Sequence, residues 1–144
     1  MMKKLSVLAV AFVLAACGSS EKSKTAKAES AKDEKNDFAT VEITVKGDKV
    51  EKITMDETKE GKSKKELGAE YGMKAVSAQK GIGKEWDEQI KFLEDYIVKN
   101  GLAAVKLDDA GYATGDDVKA GCTINIKNLM DTATKAAEDA KAAK

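Results

Sequence analysis

The stretch from residue 38 to residue 55, FATVEITVKGDKVEKITM, decides the fold class. Its first half alternates: Val41, Ile43 and Val45 fall on one face, and Glu42, Thr44 and Lys46 on the other. A period of two with one apolar face is that of a half-buried strand. Gly47-Asp48 reads as a tight turn, and Lys49–Met55 as a second strand with Val50, Ile53 and Met55 as its apolar members. Strand, short turn and strand predict a hairpin at the start of the folded region. The charged run Asp56–Ser63 that follows reads as a loop.

Helical periods take over beyond it. In Lys64–Ala78 the residues Leu67, Tyr71, Ala75 and Ala78 recur at spacings of four, four and three, until Gly81–Gly83 breaks the pattern. That Gly-x-Gly has no strand leading into it and is a helix break, not a nucleotide loop. Lys84–Asn100 is the clearest helix, with Trp86, Ile90, Leu93 and Ile97 on one stripe and Asn100-Gly101 as its stop. Residues 102–122 read as short strands or loops around Val105, Leu107, Tyr112 and Val118. A last helix is expected from about Asn125 to Ala143, turning Ile126, Leu129, Met130, Ala133 and Ala137 inward. There is no internal repeat. The expected class is α+β, a small antiparallel sheet with an N-terminal hairpin packed against two or three helices in one domain over residues 38–144.

The N-terminus carries a different signal. Met1–Lys4 is positively charged, and Leu5–Leu14 is apolar apart from Ser6, too short a run for a permanent membrane span. It ends in Leu14-Ala15-Ala16-Cys17-Gly18, which resembles the lipobox of bacterial lipoproteins. The resemblance implies a signal peptide over residues 1–16, cleavage before Cys17 and acylation of that cysteine. Two acyl chains supply the anchoring that one chain alone does not. The mature protein is then expected on the extracytoplasmic side of the cell membrane, held by lipid at Cys17. Gly18–Asp37 contains no apolar residue larger than Ala. Such a segment buries too little to offset its ordering entropy, so residues 17–37 are expected to form a disordered tether.

Composition removes whole classes of chemistry. The chain has 25 basic and 25 acidic residues, and every basic one is lysine. Loss of Lys3 and Lys4 with the signal leaves the mature chain at −2. No basic face is indicated, so no nucleic-acid partner is expected. No arginine is present to clamp a phosphate in bidentate fashion. With no histidine, His-ligated haem, His-based metal sites and His-dependent catalytic dyads and triads are excluded. Two cysteines, one of them expected to carry lipid, leave no disulfide within the mature domain and no four-cysteine iron–sulfur cluster. Any redox chemistry must belong to an organic cofactor. The lysine-rich surfaces read as solvated faces.

One segment is left to carry chemistry: Asp117-Val118-Lys119-Ala120-Gly121-Cys122-Thr123-Ile124, directly before the last helix. It resembles the motif of the FMN-binding domain family, found in bacterial extracellular electron-transfer lipoproteins and in the C subunit of sodium-translocating quinone reductases. That motif is an acidic residue, a short spacer, then Ser/Thr-Gly-Ala-Thr, with FMN esterified through its phosphate onto the last threonine by a flavin transferase. The resemblance puts Asp117 on the acidic position, Gly121 on the glycine and Thr123 on the flavin acceptor. It departs at two positions: Ala120 stands where Ser or Thr is usual, and Cys122 where Ala is usual. The Gly47-Asp48 hairpin, the Tyr71-Gly72-Met73-Lys74 helix and the motif-then-helix order extend the similarity over most of residues 38–140.

The physical logic is independent of the resemblance. A phosphate is stabilised at a helix N-terminus by unpaired N–H groups and the dipole, and a glycine lets backbone approach a bulky ligand. The residues also have plainer readings. Thr123 or Asn125 caps the last helix; Cys122 is a small semi-buried side chain, or a thiol beside a flavin; Trp86 and Tyr71 are core anchors, or stacking partners of the isoalloxazine ring.

Three functions follow as expectations. The first is a lipid-anchored FMN carrier, not an enzyme in its own right, with a membrane-bound electron donor and an external acceptor, the redox chemistry being the cofactor's. The second is a surface lipoprotein of the same fold that binds a small ligand or partner protein without flavin. A third is a relay subunit of a larger reductase.

Overall fold

The computed structural model describes residues 21–144, and the signal expected over residues 1–16 and the lipidation expected at Cys17 lie outside them. The hairpin is present as β2 (Ala39–Lys46) and β3 (Lys49–Lys59), joined through Gly47, whose φ of 60° lies in the left-handed region. Val41 pairs with Met55, Ile43 with Ile53 and Val45 with Val50. The three-residue step from Val50 to Ile53 breaks strict alternation, and a bulge beside Thr44 and Val45 absorbs it. All six side chains stay on the buried face.

Three expectations fail here. The run Asp56–Ser63 is not a loop: β3 continues to Lys59 and turns through Glu60-Gly61 into β4 (Lys62–Ser63). Its charged side chains were the reason to read a loop, but Asp37 supplies what the turn needs. The Asp37 carboxylate accepts the N–H groups of Glu60 and Gly61 at 3.0 and 3.1 Å and the Thr58 hydroxyl at 2.9 Å. These donors, led by the Glu60 and Gly61 N–H groups, hold its pKa below the ordinary carboxylate value.

The segment expected to be a disordered tether also contains a strand. β1 (Ser23–Glu29, SKTAKAE) runs antiparallel along β2, with Ala26 opposite Ile43 and Ala28 opposite Val41. Alanine buries little surface by itself; here the partner edge and the helix beneath supply the ordering. The sheet order is β1-β2-β3-β4, all antiparallel.

The segment expected to be one helix over Lys64–Ala78 is divided. α1 (Lys64–Leu67) tightens into a 3₁₀ turn, Gly68–Tyr71, and α2 (Met73–Ala78) starts afresh after Gly72 at φ 75°. The break rotates the second half, so Ala75 and Ala78 are exposed while Ser77 is buried. α3 (Trp86–Asn100) has the expected stripe, with Trp86, Ile90, Leu93 and Ile97 each at most 2% exposed. Full burial of such side chains contributes roughly 1.5–3 kcal/mol each. A 3₁₀ turn (Leu102–Ala104) and short α4 (Asp116–Lys119) lead to α5 (Lys127–Ala142). α5 covers β1 and β2 while α3 packs on β3, enclosing a single core. The molecule is α+β, a small antiparallel sheet backed on one face by helices. No helix among the described residues is long and apolar enough to cross a membrane.

Candidate functional site

The loop between α4 and α5 carries the motif, and its side chains part company. Thr123 is half-buried and lines a cleft of about 370 Å³. Three aromatic side chains, Tyr71, Trp86 and Tyr112, line the same cleft with Met73, Val76 and Ile124. Lys64, Lys80, Glu57, Ser77 and Asn125 supply polar groups. The two large apolar side chains that are exposed among the described residues, Val76 and Tyr112, both belong to this cleft. It combines apolar walls with a few polar groups, the mix from which small-molecule sites are built.

The other motif positions lie elsewhere. Gly121 is buried against α3: a Cβ built on it would stand 2.3 Å from Cγ of Phe92. The glycine therefore admits a phenyl ring of the protein, and the close approach to a ligand expected there is not what requires it. Asp117 is exposed, accepts the Tyr96 hydroxyl at 2.7 Å and the Val118 N–H at 2.9 Å, and does not line the cleft. The Tyr96 bond lowers the Asp117 pKa, and the same bond raises that of Tyr96. Phe92 and Tyr96 are one turn apart on α3, with ring centroids 6.5 Å apart. Residues 116–121 dock on that pair: the glycine makes room for one ring and the carboxylate grips the other. Ala120 is exposed at the end of α4, its N–H bonded to the Asp116 carbonyl at 3.0 Å. Cys122 is fully buried in the core, and burial pushes its thiol up to about 11. It is the inert, apolar sort of cysteine.

Thr123 is held from two sides. Its N–H donates to Oε1 of Gln89 at 2.9 Å, while Gln89 Nε2 donates to the Lys84 carbonyl at 3.2 Å. Gln89 is 0% exposed, so its amide is a bracket and not a surface group. Ser77 grips the same Lys84 peptide, donating to its carbonyl at 2.6 Å and accepting its N–H at 2.7 Å. On the other side Asn125 Nδ2 donates to the Ala110 carbonyl at 2.7 Å, and the Ile126 N–H to that of Gly111 at 2.9 Å. These bonds fix the loop that bears Tyr112. Asn125 Oδ1 also accepts the Lys127 N–H at 3.0 Å, a turn leading into α5, whose N-cap position is Ile126 and not Thr123.

Sequence periodicity did not single out Gln89, Ser77 or Lys64. Gln89 lies three residues after Trp86 on the inner stripe, where a buried amide needs a partner; that spacing was the available signal. Lys64 departs from the expectation of solvated lysines, being half-buried against Glu57, Tyr71 and Trp86. Trp86 is a core anchor at 2% exposed and Tyr71 packs against that core, and both border the cleft. Among the described residues no group of three or more His, Cys, Asp or Glu is placed to hold a metal ion.

The residues present fit FMN. A threonine hydroxyl is available for a phosphoester, aromatic and apolar walls suit a flat ring, and Lys80 offers positive charge near Tyr112 where no arginine exists.

No protein-family model and no curated protein matches the chain. Among solved structures it is similar to a solution NMR structure of a Clostridium thermocellum protein, with 28% identity and a TM-score of 0.54. The match covers 85% of this chain and 95% of that one, a span longer than residues 38–144 alone. The shared fold therefore takes in part of the segment before Phe38, in keeping with β1 as a member of the sheet.

Proposed function

We propose that this chain is a lipid-anchored, extracytoplasmic flavoprotein that carries electrons by FMN attached at Thr123 as a phosphoester. What supports this reading is the position of Thr123: alone among the five motif residues it borders a cleft walled by Tyr71, Trp86 and Tyr112. When bound, FMN supplies reversible electron transfer. The chain's own part is to orient and shield. Gln89 fixes the acceptor threonine, Asn125 fixes the loop beside it, the aromatic walls take a ring, and Lys80 answers the negative charge of a phosphate. Asp117 and Gly121 act at one remove, by seating residues 116–121 on α3. Ala120 and Cys122 touch nothing in the cleft, so the two departures from the family motif leave the acceptor's surroundings intact.

A carrier with a covalent flavin stays fluorescent after denaturation. Co-produced with a flavin transferase and exported, the protein is expected to give a fluorescent band on a denaturing gel, lost in Thr123→Ala and retained in Thr123→Ser. A colourless wild-type protein would contradict the reading. It would favour a flavin-free lipoprotein that takes another flat ligand in the same cleft, for which the structural roles of Asp117, Gly121 and Cys122 already speak.

A further inference from the structure

One ammonium group is largely shielded in the wall of the cleft. Lys64 has the least exposed side chain of the six ion-paired lysines among the described residues, 13% against 27% for the next. Its Nζ lies 2.7 Å from Glu57 Oε2, 5.1 Å from the centroid of the Tyr71 ring and 5.2 Å from that of Trp86. Stability is a poor reason for it. Desolvating such a pair costs several kcal/mol per ion, and an apolar pair of similar volume is often as stable.

Its place in the cleft is more informative. Glu57, Lys64 and Tyr71 also line a second cleft, beside Phe38 and Asn128, whereas Thr123, Tyr112 and Asn125 line only the first. The first cleft thus has two ends. At the Thr123 end, Lys80 stands 4.9 Å over the Tyr112 ring; at the other end stands the Lys64 ammonium.

We propose that Lys64 is the residue that tunes the cofactor: in a ligand anchored by its phosphate at Thr123, the ring end faces Lys64, which sets how readily it accepts electrons. This rests on the flavin reading above. Two-electron reduction, by dithionite in the test below, with uptake of one proton from water, leaves one added negative charge on the ring. The Lys64 ammonium stabilises that charge, and the Glu57 carboxylate opposes it by neutralising the ammonium. Charge near a flavin ring is one of the protein's main levers on its chemistry.

The midpoint potential of the flavin-loaded protein, measured by dithionite titration against reference dyes at constant pH, tests the assignment. Lys64→Met is expected to shift it negative and Glu57→Gln to shift it positive, while Lys135→Met, on the exposed face of α5 and outside the cleft, leaves it nearly unchanged. Opposite displacements from the two members of one ion pair are not produced by general loosening of the site. Should Lys64→Met fail to fold, E57Q and the E57Q/K64M double variant carry the test, the double lying negative of the single. Unmoved potentials, or shifts of the same sign, in variants whose intact mass shows bound flavin would overturn the role of Lys64 and leave the carrier reading standing. A wild-type mass without flavin would overturn both.

Discussion

Gly121 owes its identity to Phe92. The 2.3 Å separation between a built Cβ and the ring's Cγ lies at the root of the side chain, where a rotamer change gives little relief. Gly121→Ala is therefore expected to destabilise the fold by about 2 kcal/mol, in the range of an overpacked core. Adding Phe92→Leu is expected to recover part of that loss in chemical denaturation. If instead Gly121→Ala folds with unchanged stability, the glycine serves a ligand and not a ring. Cys122 makes a matching prediction. Being fully buried, with a thiol pushed up to about 11, it is expected to resist a thiol-specific dye at pH 8 in a Cys17→Ser background and to react once unfolded. Of the motif, the sequence marked Thr123 by its place directly before a helix, and in the structure it is the motif position that borders the cleft. The sequence did not make legible that Asp117 and Gly121 serve Tyr96 and Phe92. That contact joins residues more than twenty positions apart, and no local period reports it.

At the scale of elements, the turn between β3 and β4 concentrates unusual backbone. Glu60 sits at φ 53° and Gly61 at φ 81°, and Asp37 accepts both N–H groups. Two successive left-handed residues are the geometry of a tight hairpin turn that prefers Asn-Gly. Glu60→Asn is accordingly expected to raise stability by about 0.5 kcal/mol, since Asn tolerates that region better than Glu. The same turn gives a pH dependence. The folded pKa of Asp37 lies below its ordinary value of 3.8, so its contribution is fully present above that value and is lost as pH falls through the folded pKa. Thermal midpoints of wild type and Asp37→Asn are expected to differ at pH 6 and to converge near pH 2. β2 and α3 were legible because their apolar residues keep a clean period, and β3 because Gly47-Asp48 marks a turn before a second apolar run. β4 and the end of β3 were not, because their ordering comes from Asp37, 21 to 24 residues upstream of the groups it binds. The split of α1 from α2 was hidden by a helical period that runs through Gly72.

For the whole molecule, β1 changes where the folded unit begins. It covers the outer edge of β2 and lies under α5, so removing residues 21–37 strips both an edge and the Asp37 clasp. That truncation is expected to lower unfolding free energy by more than about 3 kcal/mol, far outside the range of a surface change. A denaturant midpoint equal to that of the full domain would show β1 to be dispensable. Compositional reasoning missed the strand because SKTAKAE has nothing larger than alanine to bury; the sheet edge and α5 supply what the segment lacks. The consequence bears on function. Only five residues separate Cys17 from Ser23, a reach of at most about 20 Å for a fully extended chain. A flavin carrier anchored at Cys17 would work close to the lipid surface instead of swinging far from it. The most direct test of the account is the intact mass of the mature protein exported in the presence of a flavin transferase. The account predicts a gain of one FMN less one water, abolished by Thr123→Ala. An unmodified mass under the same conditions would contradict it.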